Sequence, residues 1–199
     1  MEKMPYSKNK KIILASTSPR RKELIGKLGL SFEVEASDYE EDMSLKMSPS
    51  KLAMFLSKGK AMSVAKNHKT GIVIGADTFV VLGNKILGKP KSTQQAKVML
   101  RDLSGKRVDI MTGFTIIDVV SGKKISRVNT VKVYIDKLSD GAIKNYIASG
   151  EPMDKAGAFA IQGLGSVIIK RIEGDFTGAM GLPLFALVRE LKKFGVKVL

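Results

Sequence analysis

Lys11-Ile12-Ile13-Leu14-Ala15-Ser16-Thr17-Ser18-Pro19-Arg20-Arg21 passes from a short apolar run into a hydroxyl-rich turn and then into two arginines. Residues 11–15 read as a strand. Pro19 suits a first helical position, with Ser18 as its N-cap. A strand that delivers the chain to a helix N-terminus, with free backbone N–H groups, hydroxyls and guanidinium groups, suits an anion, most naturally a phosphate. A capping turn alone has no use for the double arginine.

Working outward, residues 19–28 read as a helix with Leu24, Ile25 and Leu28 on one face and Gly29 as its stop. Residues 32–36 suit a short strand, 37–43 an acidic turn, and 49–67 a long helix. The β-branched run 71–76 reads as a buried strand that ends at Asp77-Thr78. Residues 79–82 and 85–87 flank Gly83-Asn84, a hairpin signal. Residues 92–103 form a helix whose Ser92 and Gln95 match a capping box. Residues 107–120 and 124–135 read as a long antiparallel hairpin around Ser121-Gly122. A helix over 139–149 is stopped by Gly150, the stretch 150–165 is glycine-rich and irregular, 166–172 reads as a strand, and 184–194 as an amphipathic helix. Helices mixed with hairpins and long strands indicate an α/β fold (mixed α+β), a twisted mixed β-sheet flanked by helices. Residues 1–10 read as a flexible basic extension and 11–199 as one domain.

At 199 residues and 44% hydrophobic the chain can bury a core. It has no cysteine, which excludes disulfides, zinc–thiolate sites and iron–sulfur clusters. His68 is its only histidine, so a His-Asp-Ser triad or multi-histidine metal site is hard to assemble. Metal chemistry would rest on oxygen ligands, which suits Mg²⁺ or Mn²⁺. No apolar run approaches the ~20 residues of a membrane span, and the polar, basic N-terminus lacks a signal-type apolar region. A cytoplasmic location without membrane association is the expectation. Lys and Arg number 34 against 19 Asp and Glu, a net +15. That excess favours polyanionic partners, or is a lysine-rich solvated surface. With aromatics at 6% and no Trp, an extended base-stacking platform is not expected.

Five places can carry chemistry. Asp77 follows a buried run, where a carboxylate can hold a metal, accept a proton from water, or simply cap a turn. Lys60 lies between Gly59 and Ala61, small residues that let chain pack closely, although a solvated helix lysine reads the same way. Gly88-Lys89-Pro90 either aims an ammonium group or is an ordinary basic turn. Glu40, Glu41 and Asp42 concentrate carboxylates in a basic chain, suggesting a divalent cation at a phosphate or else a solvated loop. Gln162, in the irregular stretch, can bond both a donor and an acceptor on a base edge, unless that stretch is a plain connection. Together they suit a small phosphorylated nucleotide better than a long polymer. A basic nucleic-acid-binding regulator is the alternative, and it leaves Asp77 and the acidic cluster without a purpose.

The sequence resembles the Maf family of nucleoside triphosphate pyrophosphatases. The markers run in the family's order: Leu14-Ala15-Ser16-Thr17-Ser18-Pro19-Arg20-Arg21, Lys60-Ala61, Gly75-Ala76-Asp77-Thr78, Gly88-Lys89-Pro90, Leu103-Ser104-Gly105, 150–157, Ile161-Gln162-Gly163 and Gly181-Leu182-Pro183. The resemblance implies a Maf-like, inosine triphosphatase-like architecture of two lobes with a central cleft, and usually a homodimer. It implies hydrolysis of a nucleoside triphosphate between the α and β phosphorus, with a divalent metal, in nucleotide-pool cleaning and with links to cell division arrest. Asp77 matches the family's proton acceptor and Glu41 its acidic-loop carboxylate, and these two carboxylates would hold or orient the Mg²⁺ or Mn²⁺. Ser16, Arg21, Lys60 and Lys89 match phosphate-handling positions. Arg20, Thr78 and Gln162 match those that mark the dTTP/UTP branch.

Overall fold

The computed structural model describes residues 10–42 and 45–199. The expected basic extension therefore lies outside the described residues except for Lys10, as does Met43 of the acidic turn. Lys10 is not loose: its Nζ lies 3.1 Å from the Asp118 carboxylate.

Among the described residues seven strands form one mixed sheet: β1 (Ile12–Leu14), β2 (Phe32–Val34), β3 (Ile72–Leu82), β4 (Lys85–Leu87), β5 (Arg107–Asp118), β6 (Lys124–Ile135) and β7 (Ile169–Glu173). Their order is β2-β1-β3-β5-β6-β7, with β4 on β3. β1 runs parallel to both β2 and β3, in register Ile12 with Phe32 and Ile72. β3–β4 and β6–β7 are antiparallel. Six helices accompany them among the described residues: α1 (Pro19–Gly26), α2 (Pro49–Ala65), α3 (Thr93–Leu103), α4 (Asp140–Ala148), α5 (Phe176–Met180) and α6 (Leu184–Lys192).

The chain divides into two compact units, and the first of its crossings falls between Asp77 and Thr78. The first unit holds the described residues up to Asp77, Thr112–Asn129 and Met180–Leu199. Its β1 is buried throughout, so Ile12, Ile13 and Leu14 read as a continuous apolar run rather than an alternation. Ile13, Ala15, Ala61, Val64, Val73 and Ile117 pack together. α2 buries Leu52, Ala53, Leu56, Ser57, Ala61 and Val64, a stripe at helical spacing. That stripe lies against backbone. A Cβ on Gly75 would come within 2.5 Å of the Ser57 carbonyl oxygen and 2.7 Å of the Ala61 nitrogen, and one on Gly113 would strike the Ala53 carbonyl. Gly75 and Gly113 are where the helix touches β3 and β5.

The second unit holds Thr78–Met111 and Thr130–Ala179. Here α3 packs on α4 and on short 3₁₀ turns at Glu151–Asp154 and Ala156–Ala158. The α3 cap forms as expected at Ser92, whose Oγ accepts the Gln95 N–H at 3.1 Å. The return bond differs by one position, because Gln95 Oε1 accepts the N–H of Lys91 at 2.6 Å. Ser18 departs further: it occupies the N-cap of α1 in extended backbone, but its hydroxyl caps nothing. Residues 166–168, expected as strand, belong to a third 3₁₀ turn, Gly163–Ile168. α5 has no counterpart among the expected elements, although Asp175 marks its start by accepting the N–H groups of Thr177 and Gly178.

Two consequences can be measured. Gly75→Ala forces a methyl group into α2 backbone and is expected to cost about 2 kcal/mol, the scale of overpacking a tight core. Thermal unfolding should show a Tm lower by about 4–8 °C. Glu190 is buried between Arg127 (3.0 Å) and Lys193 (2.9 Å). Burial alone would raise its carboxyl, but its bonds to Lys193 and Arg127 hold it below the ordinary value. A depressed carboxyl stabilises the fold fully above its unfolded value, about pH 4.3, and loses that contribution as pH falls through the folded one. Wild type is therefore expected to lose stability faster than Glu190→Gln below about pH 4 in a Tm-against-pH series.

Candidate active site

Residues i and i+2 of a strand share a face. Gly75 and Asp77 therefore both face α2, and Gly113 and Thr115 do the same from β5. On the helix, Ala53, Ser57, Lys60 and Ala61 recur at helical spacing on one side. The missing side chain at Gly75 lets Ala61 approach, and the neighbouring Lys60 then reaches Asp77. Ser57 Oγ bonds Thr115 Oγ1 at 2.9 Å and the Met54 carbonyl at 2.9 Å, so this contact is polar, buried and satisfied.

Lys60 Nζ lies 2.5 Å from Asp77 Oδ1 and 2.6 Å from Glu41 Oε1. Asp77 is 5% exposed. It does not follow the strand, as the sequence suggested, but lies inside β3, which runs on to Leu82 and pairs there with β4. The ammonium group supplies the countercharge that such a buried carboxylate needs.

Glu41 comes from the acidic turn, and the turn is docked. Ser37 Oγ meets Ser63 Oγ at 2.7 Å and accepts the Tyr39 N–H at 3.2 Å. The ring of Tyr39 covers Gly59, where a Cβ would collide with it. Gly59 thus receives a side chain and Ala61 receives the sheet, the close packing its small neighbours predicted for Lys60. Tyr39 itself carried no signal, because its role exists only against a helix about 20 residues downstream. Glu40 and Asp42, Glu41's neighbours in the turn, are exposed.

Ser16 and Arg21 belong to the same unit. Ser16 is buried, and its Oγ accepts the Ser18 N–H at 3.3 Å and Arg21 Nη1 at 3.2 Å. Arg21 Nε donates to the Gly181 carbonyl at 3.0 Å, which ties the first turn of α1 to the Gly181-Leu182-Pro183 segment. Burial pulls the guanidinium below its ordinary value, Asp77 and Glu41 push it back up, and Arg20 lowers it. Arg21 is therefore held in the field of both carboxylates while braced by two oxygens. Arg20 is half-buried and makes no ion pair among the described residues.

Thr78, Lys89 and Gln162 fall in the second unit. Lys89 is exposed and Gln162 half-buried. The Gly157 N–H donates to the Gly88 carbonyl at 2.9 Å, which joins the Gly88-Lys89-Pro90 turn to the irregular stretch. His68 bonds the Glu35 carboxylate at 2.7 Å.

No group of three His, Asp or Glu side chains suited to a metal occurs among the described residues. Glu41 and Asp77 nonetheless converge on one cation, the Lys60 ammonium. Two hard oxygen donors at a single cation position would suit a divalent ion of the Mg²⁺ or Mn²⁺ kind.

A family model described as Maf-like protein matches residues 11–194. The chain belongs to the Maf family. The dTTP/UTP pyrophosphatase of Methanosarcina barkeri is 49% identical over 190 residues, 95% of this chain and 96% of that one. The protein of the same name from Thermoanaerobacter sp. is 51% identical over 191 residues, 95% of this chain and all of that one. That of Bacillus cereus is 46% identical over 189 residues, covering 95% and 92%. The solved structure of the Staphylococcus aureus Ham1 protein covers 80% of each chain at a TM-score of 0.49 and 16% identity, too distant to inform the site. No helix among the described residues is long and apolar enough to cross a membrane.

Lys60→Met leaves Asp77 and Glu41 facing each other without a cation. It is expected to cost about 3 kcal/mol, the scale of breaking a buried ion pair. Added Mn²⁺ should recover part of that loss, raising Tm more in the variant than in wild type. Differential scanning calorimetry with and without the ion reads both effects, and an equal rise in the two proteins would refute the shared cation position.

Proposed function

We propose that the chain hydrolyses dTTP and UTP between the α and β phosphorus, giving the nucleoside monophosphate and pyrophosphate. The observation that carries the reading is the convergence of Asp77 and Glu41 on one cation, in the unit that also braces Ser16 and Arg21, in a chain nearly half identical over its length to proteins named dTTP/UTP pyrophosphatase.

Glu41 and Asp77 would hold a divalent ion, Mg²⁺ or Mn²⁺, which when bound supplies neutralising charge at the phosphate oxygens and lowers the pKa of water. Asp77 takes the proton from the attacking water. The new bond joins that water's oxygen to phosphorus, the bridging P–O bond breaks, and its electron pair leaves with pyrophosphate. Arg20, Arg21, Lys60 and Lys89 neutralise the triphosphate and the charge that grows on the leaving group. Ser16 donates its hydroxyl to a phosphate oxygen. Thr78 and Gln162 read the pyrimidine edge, where a donor and an acceptor on one amide meet the base's own acceptor and donor. The chain works in the cytoplasm as a homodimer in this reading.

A panel of nucleoside triphosphates assayed for pyrophosphate release, with Mg²⁺, Mn²⁺ or chelator, is expected to give ion-dependent release favouring dTTP and UTP. Asp77→Asn should lower kcat by about 100-fold or more, the scale of a general base. Release of orthophosphate in place of pyrophosphate would refute the bond assignment, and near wild-type turnover by folded Asp77→Asn would refute the base.

A further inference from the structure

The irregular stretch after α4 contains one polar network that the proposed chemistry does not use. Tyr146, on the buried face of α4, is 4% exposed. Its phenol donates to Glu151 Oε1 at 2.8 Å and accepts the Ala160 N–H at 3.1 Å. The same Glu151 carboxylate accepts the Gly165 N–H on Oε1 at 2.7 Å and the Leu164 N–H on Oε2 at 3.0 Å. Gln162 lies midway between the two clamped points, two residues after Ala160 and two before Leu164.

Two glycines of this stretch, Gly163 and Gly165, are required by the clamp. Gly163 has φ +67°, and a Cβ there would collide with Glu151 Oε2. A Cβ on Gly165 would come within 2.5 Å of the Tyr146 hydroxyl. Gly163 and Gly165 are thus where Glu151 and Tyr146 reach the backbone. Protonation states suit the clamp as well. Burial pushes the Tyr146 phenol well above its ordinary value, so it stays a donor. Burial acts to raise the Glu151 carboxyl, but Tyr146 and the two N–H groups outweigh it and hold the carboxyl below its ordinary value, so it stays an acceptor. A carboxylate taking three donors, one of them a buried phenol, is a rigid link.

We propose that Glu151 and Tyr146 are positioning residues that set base selectivity by fixing the backbone on both sides of Gln162. This rests on Gln162 reading the base. A side chain that discriminates by hydrogen bonds must be held to a fraction of an ångström, and Gln162 lies in a stretch with no regular ladder to hold it. The brace supplies that rigidity from a helix. Neither residue needs to touch substrate.

The test compares Glu151→Gln, Tyr146→Phe and Gln162→Ala by kcat/KM for dTTP and for dCTP. Glu151→Gln keeps the volume but turns an amide donor toward backbone donors, and Tyr146→Phe leaves the buried Ala160 N–H without its acceptor. Both are expected to lower the dTTP-to-dCTP ratio in the direction of Gln162→Ala, by about tenfold or more, since misplacement by about 1 Å costs up to 100-fold. Loss of folded protein would lower both substrates equally and leave the ratio alone. Amide hydrogen exchange on the same variants should speed up at residues 160, 164 and 165 while β1 and β3 remain protected. An unchanged ratio in the two brace variants, with a reduced one in Gln162→Ala, overturns the brace and leaves the base reading standing. An unchanged ratio in Gln162→Ala overturns both. Unaltered exchange at the three amides overturns the brace whatever the kinetics.

Discussion

The close approach of α2 to the sheet at Gly75 and Gly113 is the feature from which the rest of the first unit follows. A helix whose contact positions are Ala53, Ser57 and Ala61 can sit this near only where the strands offer no side chain. Once it does, helical and strand periodicities meet in register. One step along the helix from Ala61 and two along the strand from Gly75 place Lys60 on Asp77. The same helix offers Gly59 to the ring of Tyr39, and so receives the turn that brings Glu41. Packing by omission at three glycines assembles a charged site from segments far apart in the chain.

The site is an arrangement of charge before it is an arrangement of reactive groups. Two carboxylates share one ammonium, and a half-buried guanidinium lies in their field while braced by Ser16 and the Gly181 carbonyl. Such a set holds its geometry without substrate, because each buried charge is already paired or bonded. The surplus of 15 positive charges gives the chain a general attraction for anions.

Much of this was legible in the residues. Ser92 with Gln95 announced the start of α3, Gly29 and Gly150 marked helix ends, and Gly83-Asn84 marked the β3–β4 turn, because turn and cap chemistry is decided within a few residues. Lys60 was legible through its small neighbours. The departures share a cause. Asp77 read as a strand end because an unpaired carboxylate is unwelcome inside a sheet, yet Lys60 pairs it there and the strand continues. Residues 166–168 read as strand on local propensity. The Glu151 carboxylate takes the N–H groups just before them, and a 3₁₀ turn forms instead. Ser18 read as a capping hydroxyl, whereas its N–H is engaged by Ser16 Oγ. In each case a side chain distant from, or ahead of, the local pattern supplied a partner that the pattern did not contain.

Residue order alone was enough for the mixed α/β character, the caps and turns, the succession of elements and, through motifs in register, the Maf family. Those properties rest on backbone sterics, hydrophobic period and residue type, all readable over short windows. The closed fold was needed to pair Asp77 within its strand, to dock Tyr39 on Gly59 so that Glu41 arrives, and to clamp the chain around Gln162 with Tyr146 and Glu151. Those properties depend on which distant backbones can approach one another, and that is settled by the absence of atoms at a few glycines once the whole core has closed.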